Sequence, residues 1–262
     1  MTAPNETTGV TARQTLLWQI ALALLLLALW EMVGRAGGAN FTSQPSQVAG
    51  KLMLWFAGPI YPHLAVSLAE LISGMAIGCS SGIIAGLLLG RSPITAAVLR
   101  PVVVAFYSVP LIALAPLFIM FLGLGMLPKI VLVALVTFFL LFFNTFAGAE
   151  RIDIDQVHAL ELMGASQSEI FRKVVAPAAT VWIIGGLKIA LPYALVATIT
   201  GEMLATRAGL GFMLSQSSER YDMAGLFAGL FILMTIGLVL SEASTRLETH
   251  LLRWRPSESD PR

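Results

Sequence analysis

Apolar and polar positions in this chain come in long blocks rather than in short alternation. Runs of about twenty apolar residues, long enough for a hydrocarbon core of roughly 30 Å, recur along it. They cover Thr15 to Val33, Leu64 to Leu89, Val102 to Leu122, Lys129 to Gly148, Ala178 to Met203 and Met223 to Ser241. The pattern predicts an all-α membrane protein with six transmembrane helices. Residues 1–14 read as a disordered polar tail, 15–255 as the membrane domain and 256–262 as a second disordered tail. The first run superficially resembles a secretory signal. Its apolar core is longer than such a segment carries, and Glu31-Met-Val-Gly-Arg35 is a poor cleavage context, so it is taken as a span. Gly34 to Pro62 and Ala205 to Asp222 read as loops, the former with a short amphipathic stretch from Val48 to Phe56.

Interruptions within the runs carry further information. Gly74, Gly78, Gly82, Gly86 and Gly90 recur every four residues in the second span, which puts them near one helix face where another backbone can approach closely. Pro110 and Pro116 fall inside the third span and each removes a backbone hydrogen bond. Such breaks persist in membranes where protein or a water-lined cavity surrounds them, so Tyr107, Ser108 and Pro110 are placed toward the bundle interior or a solute path. Asn144, Tyr193, Thr198 and Glu202 are the further polar candidates, with a bend expected at Pro192. Glu70 lies about 10 Å inside the second span by helical rise. It either pairs or snorkels near the boundary, or lines a path.

The composition, 57% hydrophobic and 12% charged, departs from the roughly one quarter charged of soluble domains. A net charge of +1 gives no basic footprint for nucleic acid. The single cysteine, Cys79, lies within a span and cannot build a disulfide framework or a metal cluster. Gly78-Cys-Ser-Ser-Gly82 matches a nucleophile-elbow spacing but sits mid-helix, and Gly86 to Ser92 lacks the Gly-Lys pair of a phosphate loop. With both termini inside, ten Lys and Arg residues fall on cytoplasmic segments and five outside, which favours that orientation.

One polar stretch, Arg151 to Pro177, stands between two of the long runs. Asp155 is read as the N-cap of a short helix ending near Gly164, which puts His158 three residues on, where an acid would reach back to the cap. Ser166 and Glu169 have capping-box spacing for a second short helix, which Pro177 is expected to stop. Gly164, Val174 and Pro177 have the spacing of the EAA loop of bacterial ABC-importer permeases. Here His158, Ala159 and Leu160 fill the Glu-Ala-Ala slots, and Ala176 stands for the usual Leu. Residues 45 to 258 resemble the nitrate/sulfonate/taurine branch of that family. The likeness is carried by Ser108-Val-Pro-Leu-Ile-Ala-Leu-Ala-Pro116, Asn144-Thr-Phe-Ala-Gly148, Gly186-Leu-Lys-Ile-Ala-Leu191, Gly201-Glu-Met-Leu, Gly209-Leu-Gly-Phe212 and Leu251-Leu-Arg-Trp254.

The resemblance implies a type I ABC importer permease fold in a bacterial inner membrane. It implies a translocation pathway between two permease copies, and a small, anionic organic solute such as an alkanesulfonate, taurine or nitrate. An extracytoplasmic binding protein would deliver the solute. Two copies of a separate ATPase, which bind ATP and Mg, would dock on the 151–177 loop. The docking candidates are His158, Ala159, Leu160, Gly164, Ala165, Ser166, Glu169, Phe171, Val174 and Pro177. No cofactor, catalytic residue or metal ligand is expected in this chain. The alternative is a secondary transporter or channel without an ATPase, for which Glu70 and Lys188 would be the charged candidates.

Overall fold

The computed structural model describes residues 12–37, 43–90, 93–107, 109–152, 154–204 and 207–253. The expected tails at 1–11 and 254–262, including Trp254, and the candidate Ser108 lie outside the described residues. Every regular element among the described residues is helical. In chain order they are α1 (Ala12–Gly37), α2 (Pro45–Phe56), α3 (Ile60–Gly90), α4 (Pro93–Tyr107), α5 (Ala115–Leu122) and α6 (Leu127–Glu150). There follow α7 (Ile154–Leu162), α8 (Gln167–Ile170), α9 (Ala176–Leu204), α10 (Leu210–Glu219) and α11 (Met223–Leu251). Five helices are long and apolar enough to cross a membrane: α1, α3, α6, the α8–α9 unit and α11.

The glycine stripe sets the centre of the fold. A Cβ added at Gly74 would meet Val133, at Gly78 Thr137, at Gly82 Leu141, at Gly86 Thr145 and at Gly90 Ala149. The offset between partners is constant, so α3 and α6 lie parallel and in register along their whole contact. Helix α6 packs on α9 in the opposite sense: Gly148 abuts Trp182, Asn144 abuts Gly186, and Lys129 abuts Gly201. Larger residues at these glycines would force the backbones apart, which is why small residues line both seams.

Because α3 and α6 are parallel, the chain between them must return to its starting end. The third apolar run does this, but not as the single helix expected from Val102 to Leu122. It consists of α4, a 3-10 turn at Leu111–Leu114 and the short α5. Pro110 and Pro116 withhold two N–H donors within seven positions, too close together for one bent helix to absorb both. Pro101 lies inside α4.

Three further expectations change. The loop at 205–222 contains α10, entered through Gly209 at φ +115°. Helix α7 begins at Ile154, so Asp155 is in its first turn and not at the cap, where its charge still favours the helix dipole. His158 is therefore the fifth helical residue and cannot close a capping box. Pro177 does not stop the helix after α8. A π turn over Phe171–Val175, in which the Ala176 N–H reaches back five residues to Phe171, absorbs the missing donor. The helix thus runs on from Gln167 to Leu204.

Candidate docking surface, buried polar cluster and inner cavity

The stretch between α6 and α9 forms a knob whose tip is a tight turn. At its centre Gly164 adopts φ +81°, in the left-handed region that glycine enters without strain. The Gly164 and Ala165 N–H groups donate to Glu161 and Leu160 carbonyls at 2.9 and 3.0 Å, closing the end of α7. The expected capping box is formed. Ser166 Oγ accepts the Glu169 N–H at 3.3 Å, and Glu169 Oε2 accepts the Ser166 N–H at 2.9 Å. Buried Ile170 and Val175 anchor this side of the knob to the spans.

The tip of the knob is apolar where a loop facing only water would be polar. Leu162 and Met163 are 89% and 81% exposed, and nothing lies within 4 Å of where a Gly164 Cβ would stand. Of the expected docking residues, His158, Ala159, Gly164, Ser166, Glu169 and Phe171 are exposed on this knob, while Leu160, Ala165, Val174 and Pro177 are partly covered. Leu162 and Met163 were not singled out from the sequence. Their signal is two adjacent apolar residues closing an otherwise polar helix just before a glycine.

The pathway candidates separate into three places. Pro110 and Tyr193 line a cavity of about 380 Å³ between α4, α6 and α9, walled by Phe106, Phe139, Phe143 and Ile189. Tyr107 is the last residue of α4. Asn144 faces Gly186 across the α6–α9 seam and donates to the Leu140 carbonyl at 2.8 Å. Thr198 is fully buried and its hydroxyl donates to the Ala194 carbonyl at 2.9 Å.

Glu202 belongs to the third place, a polar cluster buried where α3, α6, α9 and the start of α10 meet. Glu70, Lys129 and Glu202 are all nearly inaccessible, and Lys129 Nζ lies 2.5 Å from Glu70 Oε1. Glu202 accepts from the Ser67 hydroxyl and from the Gly211 N–H, each at 2.6 Å. Ser67 Oγ in turn accepts the Leu210 N–H at 2.8 Å, and His63 Nδ1 accepts the Gly209 N–H at 3.0 Å. A Cβ at Gly209 would stand 2.3 Å from the Glu202 carboxyl carbon. Both glycines of Gly209-Leu-Gly-Phe212 thus let the backbone close on the carboxylate. Glu70 therefore pairs, fully buried, near the start of α6 and the end of α9.

At the same end Lys51 of α2 pairs with Asp222, which also caps α11 by accepting the Gly225 N–H at 2.9 Å. Partial burial pushes the Asp222 carboxyl up, but the Lys51 ammonium and the Gly225 N–H outweigh it and hold it below the ordinary carboxylate range.

Comparison with known proteins places this architecture. The chain is 29% identical to the formylaminopyrimidine transport permease protein of Halalkalibacterium halodurans over 236 residues, covering 90% of this chain and 94% of that one. It is also 29% identical to the putative aliphatic sulfonates transport permease protein of Bacillus subtilis, over 91% of this chain and 87% of that one. Among solved structures, the methionine ABC transporter in an inward-facing conformation superposes with a TM-score of 0.59 at 20% identity. That match covers 77% of this chain and 98% of the other, and carries the fold of a type I ABC importer permease. Residues 81–252 match the family described as binding-protein-dependent transport system inner membrane component, and the chain belongs to that family of ABC-importer permeases.

Proposed function

We propose that this chain works as a pair of copies that docks two copies of a separate ATPase on the knob at 151–177. The knob and both termini then lie on the cytoplasmic side. ATP and Mg bind to the ATPase, and an extracytoplasmic binding protein delivers a small organic solute, of the anionic class that sulfonate and taurine importers carry.

The continuity of the helix from Gln167 to Leu204 carries this reading. An ATPase seated on the exposed Leu162–Met163 tip would push, through the tight turn at Gly164, on one continuous helix that carries Pro192 within the membrane domain. The π turn at Phe171–Val175 preserves that continuity where Pro177 would otherwise break it. Motion at the knob is thereby delivered to Tyr193 at the inner cavity and to Glu202 in the buried cluster. The cavity wall is apolar apart from the Tyr193 hydroxyl, so selection of the solute falls mainly to the binding protein.

The test is purification with the candidate ATPase and binding protein, followed by ATP hydrolysis measured across alkanesulfonates, taurine, nitrate and pyrimidine precursors. Hydrolysis stimulated by one solute and dependent on the binding protein is the expected result. ATP-independent counterflow of solute by the chain alone would overturn the reading in favour of a secondary transporter.

A further inference from the structure

Three ionisable side chains meet inside the bundle: Glu70 of α3, Lys129 of α6 and Glu202 of α9, with exposures of 0%, 3% and 1%. Beyond the Lys129–Glu70 contact, both Glu70 oxygens lack a hydrogen-bond donor among the described residues, in the same cluster that buries Glu202. A buried carboxylate can only accept, so one that is short of donors is relieved by taking up a proton, which also gives it a hydrogen to donate. The charge count agrees. Two carboxylates and one ammonium leave one negative charge unmatched, and an unmatched charge among apolar helices is neutralised by taking up a proton.

Among the described residues the surrounding elements supply no second buried cation; Arg207, between α9 and α10, is exposed. On α3, His63 spends Nδ1 on accepting the Gly209 N–H. On α2, Lys51 is engaged by Asp222. Lys188 of α9 lies far along the helix and is paired with Glu248 of α11. Helix α10 offers the backbone N–H groups of Leu210 and Gly211, while its Glu219 accepts from Ser215. Glu202 is already served by the Ser67 hydroxyl and the Gly211 N–H. Apart from the Lys129 ammonium, the Glu70 oxygens meet no other N–H or O–H donor among the described residues.

We propose that this cluster is a binding site for one proton, carried on Glu70 beside the Lys129 ammonium and the buried Glu202 carboxylate. The neutral set ties α3, α6 and α9 to the start of α10. Loss of the proton leaves two carboxylates facing one ammonium, so alkaline conditions loosen α9 and α10 from α3. The site is independent of how the ATPase docks.

Infrared spectroscopy of the full-length chain in lipid at about pH 8 reads the proton directly, because exposed acids are all ionised there. The expected signal is the carbonyl stretch of a protonated carboxylic acid, shifted in D2O and amounting to one group per chain. It should vanish in Glu70→Gln. In Lys129→Gln, where loss of the ammonium calls for a second proton, it should rise about twofold. The unfolding temperature of the wild type should fall as pH rises, and that of Glu70→Gln should not. A wild-type spectrum without the acid band overturns the proposal, as does a band unchanged in Glu70→Gln. A metal cation held in place of the proton would also give no acid band. If Glu70→Gln fails to insert, the wild-type and Lys129→Gln spectra decide the matter.

Discussion

Gly78→Ala is the most informative single perturbation of the fold. The added Cβ would lie 2.0 Å from Thr137 Oγ1, 2.2 Å from the Ala134 carbonyl oxygen and 2.9 Å from the Phe138 nitrogen. Ordinary contact begins near 3.4 Å, so an overlap of about 1.4 Å (3.4 less 2.0) must be relieved. Two of the three obstructing atoms are backbone, and the third is a hydroxyl held by the Val133 carbonyl at 2.8 Å. Relief therefore requires α3 to move off α6, which also opens the contacts at Gly74 and Gly82. Overpacking costs typically 1–3 kcal/mol. With backbone in the way, the upper part of that range applies, about 2–3 kcal/mol, or roughly 30- to 150-fold in the folding equilibrium. The control is Gly185→Ala in α9, where nothing lies within 4 Å, and where alanine should gain up to about 1 kcal/mol of helix propensity. Thermal unfolding of both variants in detergent, followed by size-exclusion chromatography, makes the comparison. A Gly78→Ala protein as stable as Gly185→Ala would refute the parallel, in-register packing of α3 on α6.

Gly164→Leu has open space but is strained at φ +81°; it should still insert and should lose the ATPase on co-purification. Gly164→Asn, which tolerates that conformation, should keep the turn and separate strain from bulk; full retention with normal transport in Gly164→Leu would remove Gly164 from the interface. His158→Glu and His158→Gln should each change stability by no more than about 0.5 kcal/mol, because an exposed fifth helical residue closes no cap. Loss of coupling between hydrolysis and uptake in both would assign His158 to the docking surface. Asp222 has a depressed native carboxyl, so its contribution is complete above the unfolded carboxylate range near 3.8 and is lost as pH falls through the lower native value. Asp222→Asn keeps the cap but should abolish that acid-side loss, whereas Asp222→Ala should cost about 1 kcal/mol more through the missing cap, read by unfolding at successive pH values.

Much of this was legible in the sequence because the signals are local. The capping box at Ser166 and Glu169 and the glycine stripe of α3 are matters of spacing within one helix, and both stand where spacing puts them. The errors come where neighbouring structure outweighs a local rule. Pro177 reads as a stop, yet a π turn re-routes the hydrogen bonds and the helix continues. Asp155 reads as a cap, yet the helix begins before it. The 205–222 segment reads as loop because its glycines mask a helix whose first N–H groups are paid for by Glu202 and Ser67 from other elements. Glu70, Lys129 and Glu202 are far apart in sequence, and their meeting depends on the parallel register of α3 and α6 and the antiparallel packing of α9. No single segment carries that information.

The central claim, that the knob at 151–177 is the seat of a cytoplasmic ATPase, is tested most directly by a photo-crosslinking residue at Met163 in intact cells. Met163 is 81% exposed at the tip of the knob, beside Gly164. The account predicts an adduct with the ATPase from position 163, and none from a control probe at exposed Tyr221 near the opposite end of α9. An adduct from Tyr221 and none from Met163, with Met163→Cys labelled by an impermeant reagent from outside the cell, would contradict it.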